Sequence, residues 1–594
     1  MISYPVSISD AVTGGSFLLV LSIVLPIAGA LLAFIAGGRR SEWIVLGTMP
    51  FGLGVAIAIA IAMQKSASPL VYFLGGWIPP LGIALRADGP SVVMVAITAV
   101  VICTIGVFAR TEFCTPAGSV EAREPFAFWI LLSAVWAALN TVFLGGDLFT
   151  LYVAMELLTF AAVPLVCLDG RAATLQAALR YLLFALLGSV LYLVGTALLY
   201  GTYGTLDIVL LSHRVHAGSA TLVAASLMTV GLLAKTALFP LHLWLPPAHA
   251  GAPAPASAVL SGLVVKGSFF IVVRLWFNVM PSLPGPTAAQ LLAGLGAAAI
   301  IFGSVLALRQ ERLKLLIAYS TLAQIGYLFL MFPLAFDLTE GRLQSGGALT
   351  AGILQAISHA TAKAAMFLVA GLIYMAVGHD RISGLAGVAR ALPLGVFAFA
   401  LGGVALVGVP PSGASLAKEL LLQSVAETHQ WWWAVVIQMG GIFTSGYLLL
   451  VLAHALVPAD RRVAPRAPVS RTQEAAAFAL ALCSLLLGLV PWEPFLSVPV
   501  GISSNPLALG TLSKALWPIL VGAVLAILLG RWGGRTVQMP LRKSLLIVVD
   551  PIRRRTLAFS KIIELVDDIL QRWTAATVSL LLVVILLGAA MLLG

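Results

Sequence analysis

The sequence predicts an all-α polytopic membrane protein with about 16 transmembrane helices. Of its 594 residues, 60% are hydrophobic and only 10% are charged, with a mean hydropathy of +1.05. A soluble domain of this size is not so apolar. Apolar runs long enough to cross a bilayer recur along the whole chain. The net charge of +11 is then explained by basic cytoplasmic loops, which is a simpler reading than nucleic-acid binding.

The apolar runs give the predicted spans in order. They lie near 16–37, 43–63, 91–109, 126–144, 148–168, 181–200, 220–243, 255–278, 289–308, 315–334, 347–377, 393–425, 432–457, 474–491, 515–530 and 574–593. Three of these runs exceed the length that a span needs or continue into prolines, so we expect broken helices there. Lys and Arg concentrate in alternate connections, which predicts that both termini lie outside.

Six ionisable residues fall inside the predicted spans, and they are the candidate site. Each one costs about 2.5–3.5 kcal/mol at the centre of a membrane helix, so such residues face the protein interior, pair with one another and mark ion or proton paths. They are Glu156, Lys235, Lys266, Lys363, Lys418 and Glu419.

Glu156, in GDLFTLYVAMELLTF, and Lys235 are the natural pair. Pro240 follows Lys235 and removes a backbone hydrogen bond, which predicts a wet break beside the lysine. A desolvated lysine releases its proton more readily, so this pair can act as a switch. The simpler readings are a structural ion pair and a kink with a snorkelling lysine.

Lys266, His249, His359 and Lys363 extend the candidate path. His359 and Lys363 are four residues apart and share one helical face, which suggests a proton relay as an alternative to packing alone. His249 lies at the proline-rich turn LPPAHAGAPAPAS. It is either a relay group towards the cytoplasm or a loop histidine bonded to backbone.

Lys418 and Glu419 follow a second break, in VGVPPSGASLAKELLLQ. Two interrupted segments in corresponding halves of a chain suggest an inverted-repeat transporter. Glu419 is an auxiliary candidate that either pairs locally or faces an adjoining subunit.

A surface helix is predicted near the C-terminus. Its apolar stripe holds Ile562, Ile563, Leu565, Val566, Ile569 and Leu570, with Lys561, Asp567, Asp568 and Arg572 opposite. This pattern is typical of an amphipathic helix on the cytoplasmic face. It would bind lipid headgroups through Arg553, Arg554 and Arg555, or brace a neighbouring subunit.

The sequence offers no cofactor or metal site. The four cysteines are scattered without a CxxC pair, and neither a GxGxxG fingerprint nor a P-loop is present. We therefore expect no redox or hydrolytic centre of the chain's own, although the chain could still be part of a translocase.

Five ordered motifs resemble the antiporter-like subunits of respiratory complex I, Mrp-type sodium/proton antiporters and membrane-bound hydrogenases. They are GDLFTLYVAMELLTF, LLAKTALFPLHLWLPPAHAGAPAPASAVLSGLVVKG, LKLLIAYSTLAQIGYL, SHATAKAAMFLVAG and VGVPPSGASLAKELL. The resemblance implies a 14-helix core with two inverted five-helix repeats and broken helices 7 and 12. It gives Glu156 and Lys235 the roles of the family's glutamate and its lysine partner. Lys266, the His359/Lys363 relay and Lys418 would continue the proton path.

Two cues within the resemblance point to different branches of the family. A lysine at position 266, rather than a histidine, resembles the complex I second-antiporter or Mrp D-type branch. The surface helix and the last span resemble instead a short version of the lateral arm of the largest subunit. Pro247 stands where many relatives carry Asp, which removes a possible entrance carboxylate.

The resemblance also implies a domain plan and a cellular setting. The plan has helices 1–3 in 1–125, five-helix repeats in 126–280 and 287–458, helices 14–15 in 472–531, the surface segment in 532–573 and a final span in 574–594. The setting is the inner membrane of a bacterial cell, beside other integral membrane subunits and lipid.

The implied function is a proton-translocating membrane subunit of a multisubunit ion-pumping complex, energised by a partner redox module. Two alternatives stay open. One is a subunit of a secondary sodium/proton antiporter, and the other is a membrane partner in proton-gradient-driven uptake of inorganic carbon.

Overall fold

The computed structural model describes residues 13–66, 68–116, 122–337, 340–458, 469–498, 509–529 and 541–593. In these ranges 14 helices are long and apolar enough to cross a membrane. Two shorter apolar helices, Pro393–Val407 and Leu516–Ile527, lie at the positions of the other two predicted spans. The prediction of an all-helical polytopic membrane protein is confirmed.

The N-terminal part contains three long helices and a short hairpin. The elements are α1 (Phe17–Ala36), α2 (Gly38–Lys65), β1 (Leu70–Phe73), β2 (Ala84–Ala87) and α3 (Gly89–Glu112). Strands β1 and β2 pair antiparallel, with Leu70 opposite Ala87. Asp88 caps α3 by accepting the Ser91 N–H at 3.0 Å, which satisfies one of the donors that a helix start leaves unpaired.

The first helical group begins with five helices that precede a break in the chain. They are α4 (Arg123–Leu144), α5 (Leu148–Val166), α6 (Ala172–Tyr203), α7 (Ile208–Ser212) and α8 (Ser219–Thr236). Helix α6 packs along α8 through two facing glycines. A methyl group at Gly188 would lie 2.6 Å from the Gly231 carbonyl oxygen, so the two backbones approach as closely as small residues allow.

Helix α8 stops in the middle of the predicted seventh span. Ala237 adopts a left-handed conformation with φ 60°, and the N–H groups of Ala237 and Leu238 bond back to the carbonyls of Ala234 and Leu233. Such a cap closes a helix end. The chain resumes in α9 (Leu245–Gly251) after the break, as expected beside Pro240.

The eighth span is almost entirely buried, and it is irregular. It consists of α10 (Ala254–Val259), a π-helical turn at Leu260–Val264, α11 (Val265–Val273) and a second π-helical turn at Arg274–Val279. The sequence did not predict these wide turns. They are common at functional sites, and the first one ends two residues before Lys266.

The second helical group repeats the break. It contains α12 (Pro286–Arg309), α13 (Leu313–Phe329), α14 (Met331–Leu334), β3 (Phe336–Asp337), β4 (Arg342–Leu343), α15 (Gly347–Val377), α16 (Val388–Ala391), α17 (Pro393–Val407), α18 (Gly413–Glu427) and α19 (Trp431–Ala455). At the end of α17, Gly408 has φ 88°. The N–H groups of Gly408 and Val409 return to the carbonyls of Ala405 and Val404, the same spacing as at the first break.

Four helices complete the chain. They are α20 (Arg471–Leu486), α21 (Leu509–Leu529), α22 (Leu541–Leu570) and α23 (Trp573–Leu593). Helix α23 packs against α8 and α12, and α22 contacts α12 and α21. The C-terminal hairpin of α22 and α23 therefore rests on the first broken helix, α8, and on α12.

Two expectations were wrong. The long run 347–377 forms one continuous helix, because it contains no proline and its Gly residues are tolerated inside the protein. Asp567 does not face solvent on α22: it is 4% exposed, whereas Ile562 and Leu565 are 59% and 60% exposed. The buried carboxylate is satisfied by polar partners on α13 and in the first break.

The groups α4–α11 and α12–α19 fall near the predicted repeats 126–280 and 287–458, but the domain boundaries stay a prediction. Residues 1–12 and 530–540 lie outside the described part, and so does the side chain of Arg553.

Candidate functional site

Glu156 and Lys235 form a buried ion pair. Lys235 Nζ donates to Glu156 Oε1 at 2.9 Å and to the Thr159 hydroxyl at 2.9 Å. The Ser189 hydroxyl donates to the same carboxylate. The side chains are 5% and 14% exposed for Lys235 and Glu156. The amine and the carboxylate thus compensate each other's burial cost.

The break fixes Lys235 at the last turn of α8. A cation is favoured there by the carbonyl ends of the helix. The Trp244 indole N–H donates to the Ala234 carbonyl at 3.0 Å, so one carbonyl next to the lysine is bonded from across the break. A small cavity of about 10 Å³ lies against Lys235, Thr159, Val264 and Ser268. This is about the space for one water molecule, and it lies between Lys235 and the stretch 264–268, which contains Lys266.

Lys266 and His359 are in direct contact although they are 93 residues apart. The Lys266 amine bonds to His359 Nδ1 and to the Ser261 carbonyl in the π-helical turn. Both side chains are 0% exposed. No charged partner accompanies this pair among the described residues, so the site favours one shared proton over two charges.

Lys363 points to a different neighbour from His359. Its amine bonds to the Ser320 hydroxyl and lies 3.4 Å from the Ile317 carbonyl, both on α13. The ring of Tyr447 on α19 lies 5.8 Å from Lys363 Nζ. The predicted His359/Lys363 face therefore contacts α11 through one residue and α13 through the other.

A polar chain that sequence reasoning missed leads onward from Lys363. The Gln324 amide donates to Thr444 at 3.1 Å, and the Tyr447 hydroxyl donates to Thr444 at 3.2 Å. The Gln355 side-chain amide donates to Oε1 of the Gln324 side chain at 2.8 Å. Ser320, Gln324 and Tyr327 are spaced by four and three residues on α13, a helical-face pattern that the sequence did contain.

Lys418 lies beyond this chain and reaches back across the second break. Its amine donates to the Val407 carbonyl at 2.5 Å, at the end of α17, and lies 5.4 Å from the Tyr327 ring. Lys235 precedes its break, whereas Lys418 follows its own. The predicted similarity of the two breaks is thus one of backbone geometry, with the lysines on opposite sides. Glu419 is half-buried beside Lys418.

His249 is buried and stacked on Phe367, with ring centroids 4.6 Å apart. Neither ring nitrogen has a hydrogen-bond partner within the described residues. The expected alternative of a loop histidine bonded to backbone is therefore not seen. A buried, unpartnered imidazole calls for water or a transient partner.

Arg274, at the far end of the eighth span, is anchored by Asp88. The guanidinium contacts both carboxylate oxygens, at 2.7 Å for Oδ1, and the Ser91 hydroxyl at 2.6 Å. Burial alone would raise the pKa of Asp88, but the Arg274 charge and the hydrogen bonds from Arg274 and Ser91 hold that pKa below its usual value. This pair fastens α3 to the eighth span at neutral pH.

His242 ties the C-terminal hairpin to the first break. Its Nε2 lies 3.0 Å from Asp567 Oδ1, and the Tyr319 hydroxyl donates to Asp567 Oδ2 at 2.5 Å. Arg309 on α12 pairs with Glu564 on α22 at 2.8 Å. Polar contacts as well as packing therefore hold the hairpin against the first break and against α12 and α13.

Fold and site together define a class: a polytopic helical membrane protein with a file of buried amines running between two broken helices. Residues 145–444 match the family described as NADH:quinone oxidoreductase/Mrp antiporter, transmembrane. The chain belongs to this family.

Two curated relatives cover most of the chain. The N-type subunit of NADH-quinone oxidoreductase from Desulforudis audaxviator is 30% identical over 497 residues, which is 79% of this chain and 94% of the relative. The D-type subunit of the Na(+)/H(+) antiporter from Alkalihalophilus pseudofirmus is 27% identical over 500 residues, covering 82% and 94% of the two chains.

Two solved structures share the fold. A chain of the Mrp complex from Dietzia sp. matches with a TM-score of 0.72 and 24% identity, over 86% of this chain and 97% of that one. A chain of the membrane-bound sulfane sulfur reductase, an archaeal respiratory membrane complex, matches with a TM-score of 0.70 and 22% identity, over 86% and 99%. The relatives and neighbours belong to complexes with other membrane subunits.

Proposed function

We propose that this chain is the proton-translocating membrane subunit of a multisubunit ion-pumping complex. Protons move along Glu156, Lys235, Lys266, His359, Lys363 and Lys418, with His249 and Glu419 as auxiliary groups. The chain lies in the inner membrane of a bacterial cell with both termini outside. The carrying observation is the set of titratable side chains held inside the protein on α5, α8, α11, α15 and α18. Two pairs of them are in direct contact, Glu156 with Lys235 and Lys266 with His359.

The contacts support transfer in short steps. The Lys266 amine touches His359, and Gln324, Thr444 and Tyr447 join the surroundings of Lys363 to those of Lys418. Thr444 donates to the Gly440 carbonyl at 2.8 Å, and a methyl group on the neighbouring Gly441 would lie 3.3 Å from Lys418 Nζ. Hydroxyl and amide groups at these distances order the water through which a proton moves.

The Glu156–Lys235 pair acts as the switch. When the pair is closed, the carboxylate holds Lys235 as an ammonium. When it opens, the buried ammonium loses its partner and passes its proton towards Lys266 through the small cavity at Val264 and Ser268. Opening leaves the buried ammonium without its carboxylate partner, which is costly. The opening motion and the proton transfer are therefore energetically linked.

The chain needs an energy source. Moving one charge against a membrane potential costs about 2.3 kcal/mol per 100 mV, and a proton path alone supplies none of it. We assign the supply to a partner redox module. A sodium gradient is the alternative, favoured by the 27% identity to a Na(+)/H(+) antiporter component. An antiporter would exchange sodium for protons without an electron donor.

The test measures proton uptake by inverted membrane vesicles that carry the intact complex, driven by an electron donor or by a sodium pulse. Lys235→Ala should abolish uptake while the complex still assembles, because the switch loses its amine. Lys65→Ala, an exposed lysine at the end of α2, is the matched control and should retain uptake. Full uptake by Lys235→Ala would remove Lys235 from the path.

A further inference from the structure

A cavity opens on the side that the basic residues assign to the cytoplasm. Its volume is about 570 Å³. Charged side chains from α3, α4, α6 and α13 and from the loop before α6 line it: Glu112, Glu124, Asp169, Arg171, Arg180 and Lys314. The turn between α9 and α10, at residues 250–254, forms part of its wall.

Three cations hold this turn by three successive carbonyls. Arg312 donates to Ala250 at 3.1 Å, Arg171 to Gly251 at 3.3 Å and Lys314 to Ala252 at 3.0 Å. Ala250 and Gly251 are the last two residues of α9 and Ala252 follows them, so these three carbonyls have no helical partner. The contacts therefore fix the turn that comes directly after His249.

The three cations differ in ways that matter for proton transfer. Arg171 and Arg312 have side chains that are 64% and 45% exposed, and they pair with Asp169 and Asp380. Lys314 is only 9% exposed. A guanidinium stays protonated in proteins, whereas an amine can release its proton. Only Lys314 combines burial, contact with the turn and the ability to titrate.

His249 lies immediately behind the turn. Its ring is fully buried, both nitrogens are unpartnered in the described residues, and it stacks on Phe367, one helical turn from Lys363. Burial, and after it the charges of Lys363, Lys266 and Lys314, hold the pKa of the imidazole below its usual value, so His249 is neutral at rest. His249 therefore lies within electrostatic reach of both the cavity wall and the buried file.

We propose that Lys314 is the residue that takes protons from the cavity and passes them to His249. A hydronium ion that enters the cavity from the cytoplasmic side gives its proton to the neutral amine of Lys314 and leaves a water molecule. The resulting ammonium gives one proton, through an ordered water, to the neutral imidazole, and the amine is neutral again. Arg171 and Arg312 hold the turn in place during this cycle. The inference rests on the proposed function, because it supplies the first step of that path.

The charged groups around Lys314 set the conditions for its titration. They are Glu112 on α3, Asp380 after α15, Arg312 beside it and Arg171 before α6, together with His249. Burial opposes the ammonium most strongly, Glu112 and Asp380 favour it, and the two arginines oppose it. Lys314 thus stands between acidic groups at the cavity and cations at the turn.

The test compares Lys314→Arg with Lys314→Gln in vesicles that carry the intact complex. Arginine preserves the charge and the bond to Ala252 but cannot release a proton. We expect both variants to lose proton uptake at least tenfold, with Lys561→Arg on the exposed face of α22 as the matched control. If Lys314→Arg retains uptake within twofold while Lys314→Gln loses it, Lys314 is a clamp only and the proposal is wrong.

A second variant covers a failure of Lys314→Arg to assemble. Lys314→His keeps a titratable group with an ordinary pKa of about 6.5 in place of about 10.4. In a plot of uptake rate against pH, the fall at alkaline pH should move to lower pH by about one unit or more. An unchanged position of this fall would overturn the proposal. Lys235→Ala in the same vesicles separates the two ideas. If Lys235→Ala loses proton uptake while Lys314→Arg keeps normal uptake, only the role of Lys314 is rejected.

Discussion

The Glu156→Gln substitution gives the sharpest test of the switch. It removes the negative charge of the pair but preserves the size of the side chain and its ability to bond to Ser189 and Lys235. The Lys235 ammonium then remains 5% exposed with only neutral acceptors, of which Thr159 at 2.9 Å is one.

The expected magnitude follows from the burial of the pair. Removing one partner of a buried ion pair costs about 3–5 kcal/mol. The remaining bonds to Thr159 and to the new amide place Glu156→Gln at the lower end, about 3 kcal/mol. Since about 1.4 kcal/mol is a factor of ten, the ammonium form of Lys235 loses about a hundredfold in population relative to the neutral form.

The assay is the initial rate of proton uptake in inverted vesicles at matched levels of assembled complex. Glu156→Gln should reduce this rate by about a hundredfold, since the closed state no longer loads Lys235. Glu156→Asp, which restores a charge at a longer reach, should recover part of the rate. Glu427→Gln, an exposed glutamate in the last turn of α18, controls for the substitution itself. A rate for Glu156→Gln within twofold of wild type would show that the pair is structural, and the switch would have to be abandoned.

Two further predictions concern the packing that positions the site. Gly188→Ala should separate α6 from α8, because its methyl group would lie 2.6 Å from the Gly231 carbonyl oxygen and 3.4 Å from Lys235 Cγ; overpacking of this kind costs about 1–3 kcal/mol, measurable as a lower melting temperature and slower proton uptake. Gly201→Ala on the same helix meets open space and should behave as wild type, so equal effects of the two would contradict this reasoning. Asp567→Asn should loosen the C-terminal hairpin by about 1–3 kcal/mol, because the bonds from His242 and Tyr319 to a charged acceptor weaken. Faster proteolysis between α21 and α22 would report the loosening, and unchanged proteolysis would count against a holding role for Asp567.

The sequence was sufficient for the architecture because the membrane leaves few alternatives. A run of about 20 apolar residues has to be a helix, since every backbone group must be satisfied within the chain. The breaks at Ala237 and Gly408 were also predictable, because prolines follow each of them and a proline removes a helical hydrogen bond. The expectation that an overlong apolar run is a broken helix was wrong at 347–377, because length alone did not break α15.

The candidate site was predictable in membership but not in arrangement. Buried lysines are costly enough to stand out in an apolar sequence, so Lys266 and Lys363 could be found by composition alone. The contact of Lys266 with His359 depends on how the eighth span packs against α15, which no spacing encodes. Gln324, Thr444 and Tyr447 were missed because neutral polar residues in membrane helices are common and carry no comparable penalty. The burial of Asp567 was missed because an amphipathic pattern cannot distinguish water from a polar partner.

The residue at each break has a mechanical consequence. Ala237 adopts φ 60°, where an L-residue with a side chain is less stable by about 1–2 kcal/mol, whereas Gly408 adopts φ 88° without that penalty. A strained conformation persists only when its surroundings enforce it, so the joint beside Lys235 is stiff and keeps one shape. The joint before Lys418 carries no such penalty, so we expect Gly408 to be the more compliant of the two breaks.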